Sequence, residues 1–150
     1  MVGVDMTLVQ YKGSPAAVTA VVTGEVSVGF GLVPVALPYV AAGRLRAHAI
    51  TSAKRFSGLP QVPTSAEAGL PGFETDFWLG MFVPVRTPKE LVARLNRDVV
   101  SVLQTPNMQS FMLAQGAETA AGTPEEFAAF IRSETVRLKK VIEAAGIRMD

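Results

Sequence analysis

Val9-Gln10-Tyr11-Lys12-Gly13-Ser14-Pro15-Ala16-Ala17 reads as the junction between a buried strand and a helix. Gly13 lets the backbone turn and Ser14 is placed to cap the helix. Pro15 suits the first helical position, where its missing N–H would be unpaired in any case. A helix that starts this way presents free N–H groups and the positive end of its dipole, so it can hold an anion. Lys12 adds a formal charge beside it. The bland use of the same residues is an ordinary capped helix start, and caps outnumber ligand sites.

Outward from this junction, strands and helices alternate. Residues 6–10 read as a strand and Ser14–Thr23 as a helix with Val18, Val21 and Val22 on one face and Gly24 just past its end. Val26, Val28 and Phe30 alternate as in a second strand. A short helix over 34–42, weakened by Pro38 and closed by Gly43, precedes a third strand over 45–51. Strands separated by helices imply an α/β fold with a parallel sheet and flanking helices.

Residues 52–72 are rich in Pro and Gly and read as loop, interrupted by one short helix that Thr64 and Glu67 would box. An aromatic extended stretch over 73–83 is the candidate hinge. The remainder is mainly helical. Thr87-Pro88-Lys89-Glu90 is a start signal, followed by a stripe of Leu91, Leu95, Val99, Val102 and Leu103. Thr105-Pro106 breaks that helix, and a second one, with Met108, Phe111 and Met112 inward, ends at Gly116. Residues 117–121 suggest a short strand. Thr123-Pro124-Glu125-Glu126 opens a long amphipathic helix with Phe127, Phe130, Ile131, Leu138, Val141 and Ile142 on its apolar face and Gly146 at its end.

Composition excludes several classes. With 150 residues and 49% apolar content, the chain could bury a core as a single domain. A net charge of +1 with dispersed Lys and Arg gives no nucleic-acid surface. The absence of cysteine excludes disulfides, thiolate chemistry and Cys-based zinc sites. No apolar run is long enough to span a bilayer. Met1-Val2-Gly3-Val4-Asp5 is not a signal peptide, so the chain expressed as it stands is expected in the cytoplasm.

Catalytic patterns are nearly absent. His48, the only histidine, falls within an expected strand and has no nucleophile or acid spaced to join it, so a structural role is expected. Gly29-Phe30-Gly31 resembles the start of a dinucleotide fingerprint, but Pro34 stands where its last glycine should be. Glu125, Glu126, Glu134 and Asp150 read as caps and solvated faces, and Asp76 as a surface aspartate that could border a cleft. The residues thus point to no enzyme, no cofactor and no metal.

The order of blocks is informative. Tyr11-Lys12-Gly13-Ser14 is followed by Gly24-Glu25-Val26-Ser27-Val28, then by Leu45-Arg46-Ala47-His48-Ala49-Ile50-Thr51-Ser52-Ala53-Lys54-Arg55. Next come Pro60-Gln61-Val62-Pro63-Thr64-Ser65-Ala66-Glu67-Ala68-Gly69-Leu70-Pro71-Gly72, Trp78-Leu79-Gly80, Val83-Pro84, Thr87-Pro88, Arg94-Leu95-Asn96 and Thr123-Pro124-Glu125-Glu126-Phe127. This order resembles the second half of the tripartite tricarboxylate transporter solute-receptor (Bug) family, periplasmic proteins that capture small carboxylates and pass them to membrane transporter subunits.

The resemblance implies the second lobe of a type II periplasmic-binding-protein fold over 1–76, and a hinge strand with a helical segment that packs on the first lobe over 77–150. It places ligand contacts at Tyr11, Lys12, Gly13, Ser14, Pro15 and Ala16, and at Phe30 and Gly31. The family commonly carries Asp where this chain has Gly31, and often where it has Ser27, so a ligand ammonium or hydroxyl loses a partner here. Because one wall of the cleft lies in the other half, a partial receptor is expected to bind weakly. The alternative is a truncated product without a transport role that persists as an oligomer, with a homodimer covering its apolar faces.

Overall fold

A computed structural model describes residues 5–146. Five helices follow in order: α1 Ser14–Thr23, α2 Val33–Ala41, α3 Lys89–Leu103, α4 Pro106–Ala114 and α5 Pro124–Ala145. Two compact units emerge, one of residues 5–79 with Ser110–Glu118, the other of Gly80–Gln109 with residues 119–146. The expected solvated position of Asp150 lies outside the described residues.

The expected parallel sheet is not formed among the described residues. Residues 6–10, 28–32 and 46–49 are non-helical, and the only β pairing described is one parallel bridge between Ile50 and Thr64. Ile50 N–H donates to Pro63 O at 2.8 Å and Ser65 N–H donates to Ile50 O at 2.7 Å. A further tie joins Thr75 N–H to Thr51 O at 2.9 Å, with the Thr51 hydroxyl donating back to Thr75 O at 2.7 Å. Alternating apolar residues give a segment a face, but a strand also needs a neighbour for its N–H and C=O groups. Here those apolar faces stay open: Leu8 is 82% exposed, and Met6, Val28 and Phe30 are exposed as well. The short strand expected over 117–121 is likewise absent.

The first unit has a small core. Phe56, Leu59 and Val62 are buried together, with Val33, Leu37, Val40, Ala47, Ile50 and Leu113 packed around them. The loop that carries this cluster is held by its own hydrogen bonds. Thr64 N–H donates to Glu67 Oε2 at 2.8 Å and Glu67 N–H to Thr64 Oγ1 at 3.1 Å, the two halves of the expected box. The box caps a hydrogen-bonded turn, not the expected helix, because Gly69 (φ 95°) and Pro71 follow at once. α2 keeps Pro38 inside, and the chain leaves it through Gly43 at φ 69°.

In the second unit the amphipathic faces are rotated from expectation. On α3 the half-buried residues are Val92, Leu95, Asn96, Val99, Val100 and Leu103, whereas Leu91 and Val102 are exposed. That set follows the three- and four-residue spacing of a helix face more closely than the expected one. α3 also starts without a side-chain cap, at Pro88, so Thr87 does not serve as one. On α5 the capping box is complete: Glu126 N–H donates to Thr123 Oγ1 at 3.2 Å and Thr123 N–H to Glu126 Oε2 at 2.8 Å. Its covered face runs through Phe127, Ala128, Ile131, Glu134 and Arg137, and Phe130, Leu138, Val141 and Ile142 are exposed. In the first unit, Phe111 of α4, expected inward, is exposed too.

Candidate functional site

The expected site residues come from two segments, and α1 brings them together. The chain turns into α1 at Gly13, whose φ of 92° and ψ of 167° suit glycine; Gly13 N–H donates to Tyr11 O at 2.9 Å. Gly13 is the N-cap and Ser14 the first helical residue, one place earlier than expected. Ser14 therefore does not cap. Its Oγ instead accepts the N–H of Leu32 at 2.8 Å, across eighteen residues of sequence. This bond fastens the Phe30–Gly31 segment to the first turn of α1.

Two glycines make the approach possible. A Cβ on Gly29 would stand 2.8 Å from Val21 Cγ2, and one on Gly31 would stand 2.6 Å from Val18 Cγ2. Val18 is only 4% exposed, so it has little room to yield. The sequence reading saw at Gly31 a lost carboxylate; the structure adds that any side chain there would collide with α1.

The first turn of α1 retains backbone donors. Ala17 N–H donates to Gly13 O at 3.3 Å, and Pro15 has no N–H. The N–H groups of Ser14 and Ala16 lie before the first intrahelical acceptor, at the positive end of the helix dipole. Lys12, Pro15 and Ala16 are exposed around them. The Tyr11 hydroxyl donates to Glu25 Oε1 at 2.8 Å, and this bond to a carboxylate, with lesser contributions from desolvation and from the Glu25 charge, raises the Tyr11 pKa above its ordinary value.

The Phe30 ring centroid lies 6.0 Å from that of Phe73. Sequence reasoning did not connect these two, because nothing in the spacing of residues 30 and 73 signals contact. His48 is exposed on the segment leading to Ile50. An open concavity of about 630 Å³ lies between α2 and the C-terminal part of α4, lined by Pro34, Leu37, Pro38, Leu113 and Ala114. No charged side chain lines it. No cluster of metal-ligating side chains occurs among the described residues.

Donors at a helix start, with a second loop clamped beside them, make up the candidate site. Solved structures share the fold. A protein from R. palustris, solved with adipate, superposes with a TM-score of 0.85 at 37% identity over 98% of this chain and 49% of its own length. MatC from Rhodopseudomonas palustris, solved with bound malate, gives a TM-score of 0.71 at 32% identity over 93% of this chain and 48% of its own. The family described as the tripartite tricarboxylate transporter family receptor matches residues 1–147, and the chain belongs to it. A UPF0065 protein from the tcbD-tcbE intergenic region of Pseudomonas sp. (strain P51) is 40% identical over 140 residues, covering 93% of this chain and 42% of the relative. BugT of Bordetella pertussis is 33% identical over 147 residues, covering 98% and 45%. The chain thus spans a little under half the length of these relatives.

Proposed function

We propose that this chain is the anion-gripping portion of a receptor that captures small carboxylates for a tripartite tricarboxylate-type transporter in the periplasm. One observation carries the reading: the Ser14 Oγ–Leu32 N–H bond of 2.8 Å sets two loops side by side at a helix start. There the Ser14 and Ala16 N–H groups and the Ser14 hydroxyl hydrogen are available to one carboxylate, within reach of Tyr11, Lys12, Gly13, Pro15, Phe30 and Gly31. The adipate and malate in the two neighbouring structures support this ligand class.

In this reading residues 1–76 belong to the ligand-binding lobe of a type II periplasmic-binding-protein fold, and 77–150 to a hinge and a helical segment of the other lobe. The open edges at 6–10 and 28–32 then pair with strands supplied from elsewhere in the full receptor, which completes the parallel sheet. The exposed Leu8, Phe30, Leu79 and Phe82 favour a second reading beside it, in which the chain alone has no transport role and persists as a homodimer. Helix-dipole contacts contribute only roughly 0.3–1 kcal/mol per exposed charge, so the isolated chain binds weakly. Titration calorimetry with di- and tricarboxylates tests this. Weak or undetectable heat is expected, with nuclear magnetic resonance shifts at Ser14 and Ala16 at high ligand concentration. Tight binding would refute the need for a second wall, and an anion located at His48 or Glu125 would refute the site.

A further inference from the structure

The segment Ser110–Glu118 joins the first unit from far along the chain and is fastened there along its length. Leu113 packs against the cluster of Phe56, Leu59 and Val62. Glu118 Oε1 accepts the N–H of Ser57 at 2.9 Å. Between these two ties the buried Gly116 lies against the start of α2. A Cβ there would stand 2.9 Å from Pro34 N and from Pro34 Cα, and 3.1 Å from Val33 C. These are backbone atoms of a helix, which cannot swing aside as the end of a side chain can.

Gly116 is fixed from its own side as well. It follows α4 with φ 79°, the left-handed conformation that closes a helix. Its N–H donates to Leu113 O at 3.0 Å, and the Ala117 N–H donates to Met112 O at 2.9 Å. A side chain at this position is opposed twice, by backbone conformation and by space. The first turn of α2 in turn leads to the site. Leu32 C=O accepts the N–H groups of Val35 and Ala36, both at 3.0 Å, while Leu32 N–H donates to Ser14 Oγ at 2.8 Å. Leu32 is therefore held by α2 on one side and by the α1 start on the other. A shift of the Val33–Pro34 backbone is carried to Ser14 through these bonds.

Resting on the carboxylate reading above, we propose that Gly116 is a positioning residue of the binding site. It touches no ligand. Its bare backbone lets α2 start where Leu32 can hold the Ser14 hydroxyl beside the Ser14 and Ala16 N–H groups, and Glu118 keeps the segment seated. Packed and hydrogen-bonded links of this kind carry coupling between distant residues. The competing role, a plain cap at the end of α4, entails a loss of stability and nothing at the site.

The test is a nuclear magnetic resonance titration of the 150-residue chain with adipate, following the Ser14, Ala16 and Leu32 amides, beside urea denaturation. In Gly116→Ala the Leu32 and Ser14 resonances are expected to move before any ligand is added, and adipate to bind about 3- to 10-fold more weakly. Thr64→Ala, which removes a capping hydroxyl from the same unit, is the control for stability alone. It is expected to lower the urea midpoint while leaving the Leu32 resonance and the adipate affinity as they are. Should Gly116→Ala not fold, Glu118→Ala decides, since it loses only an exposed tie to Ser57. The same changes in smaller measure are expected there. Native adipate affinity in the variant that folds, or an equal weakening in Thr64→Ala, would overturn the positioning role and leave the carboxylate reading standing. If adipate moves neither the Ser14 nor the Ala16 amide of the native chain, the carboxylate reading falls and the positioning role with it.

Discussion

Ser14 gives its oxygen lone pair to Leu32 instead of to its own helix. Removing that acceptor in Ser14→Ala leaves a half-buried N–H unpaired, so a loss of about 1–2 kcal/mol in the first unit is expected by urea denaturation. Leu32 amide exchange should accelerate in the same variant. Gly31→Ala should cost about 1–3 kcal/mol, because its new methyl would stand 2.6 Å from Val18 Cγ2. A Val18→Ala background should recover part of that loss in a double-mutant cycle. Glu67 supplies a pH dependence. Its pKa is lowered first by the Arg55 side chain, which donates at 2.7 Å, and then by the Thr64 N–H. A lowered carboxylate pKa stabilises the fold above the ordinary glutamate range, and that contribution is lost as the pH falls through the lowered value. Both side chains are about half exposed, so the effect is modest. Acid titration of the unfolding midpoint should show a shallower decline in Glu67→Gln than in the native chain.

Among the elements, helix starts were the most legible and helix faces the least. Thr123 and Glu126 form their box as the sequence spells it, because capping is a contest among neighbours in the chain. Thr123→Ala should remove about 1 kcal/mol and release the first-turn amides of α5 to exchange. Ser14 and Thr87 carried the same signal and do not cap. In one case a distant Leu32 N–H takes the oxygen, and in the other α3 begins after Pro88. α5 shows why faces were harder to read: its C-terminal half covers Glu134 and Arg137, which pair at 2.7 Å, and leaves Val141 and Ile142 outside. An ion pair three residues apart can sit on a face that hydropathy alone would reject. The two site segments were legible as segments. Their contact was not, since it rests on the absence of side chains at Gly29 and Gly31 and on one long-range hydrogen bond.

At the scale of the whole molecule, large apolar side chains stay exposed in both units, among them Leu8, Phe30 and Leu79 in the first and Phe82 and Val85 in the second. Strand alternation was legible in Met6, Leu8, Val28 and Phe30, but the sheet was not formed, because pattern names a face and cannot supply the neighbouring strand. Soluble monomers rarely leave apolar patches of that extent open. Sedimentation at increasing concentration should therefore show self-association of the isolated chain, and a monodisperse monomer throughout would contradict it. The Ile50–Thr64 bridge has a different consequence, in time and not in affinity. It closes a short loop around Phe56, Leu59 and Val62, and closing a short loop costs little entropy. A nascent chain can therefore form this seed soon after residue 64 leaves the ribosome, before α3, α4 and α5 have emerged.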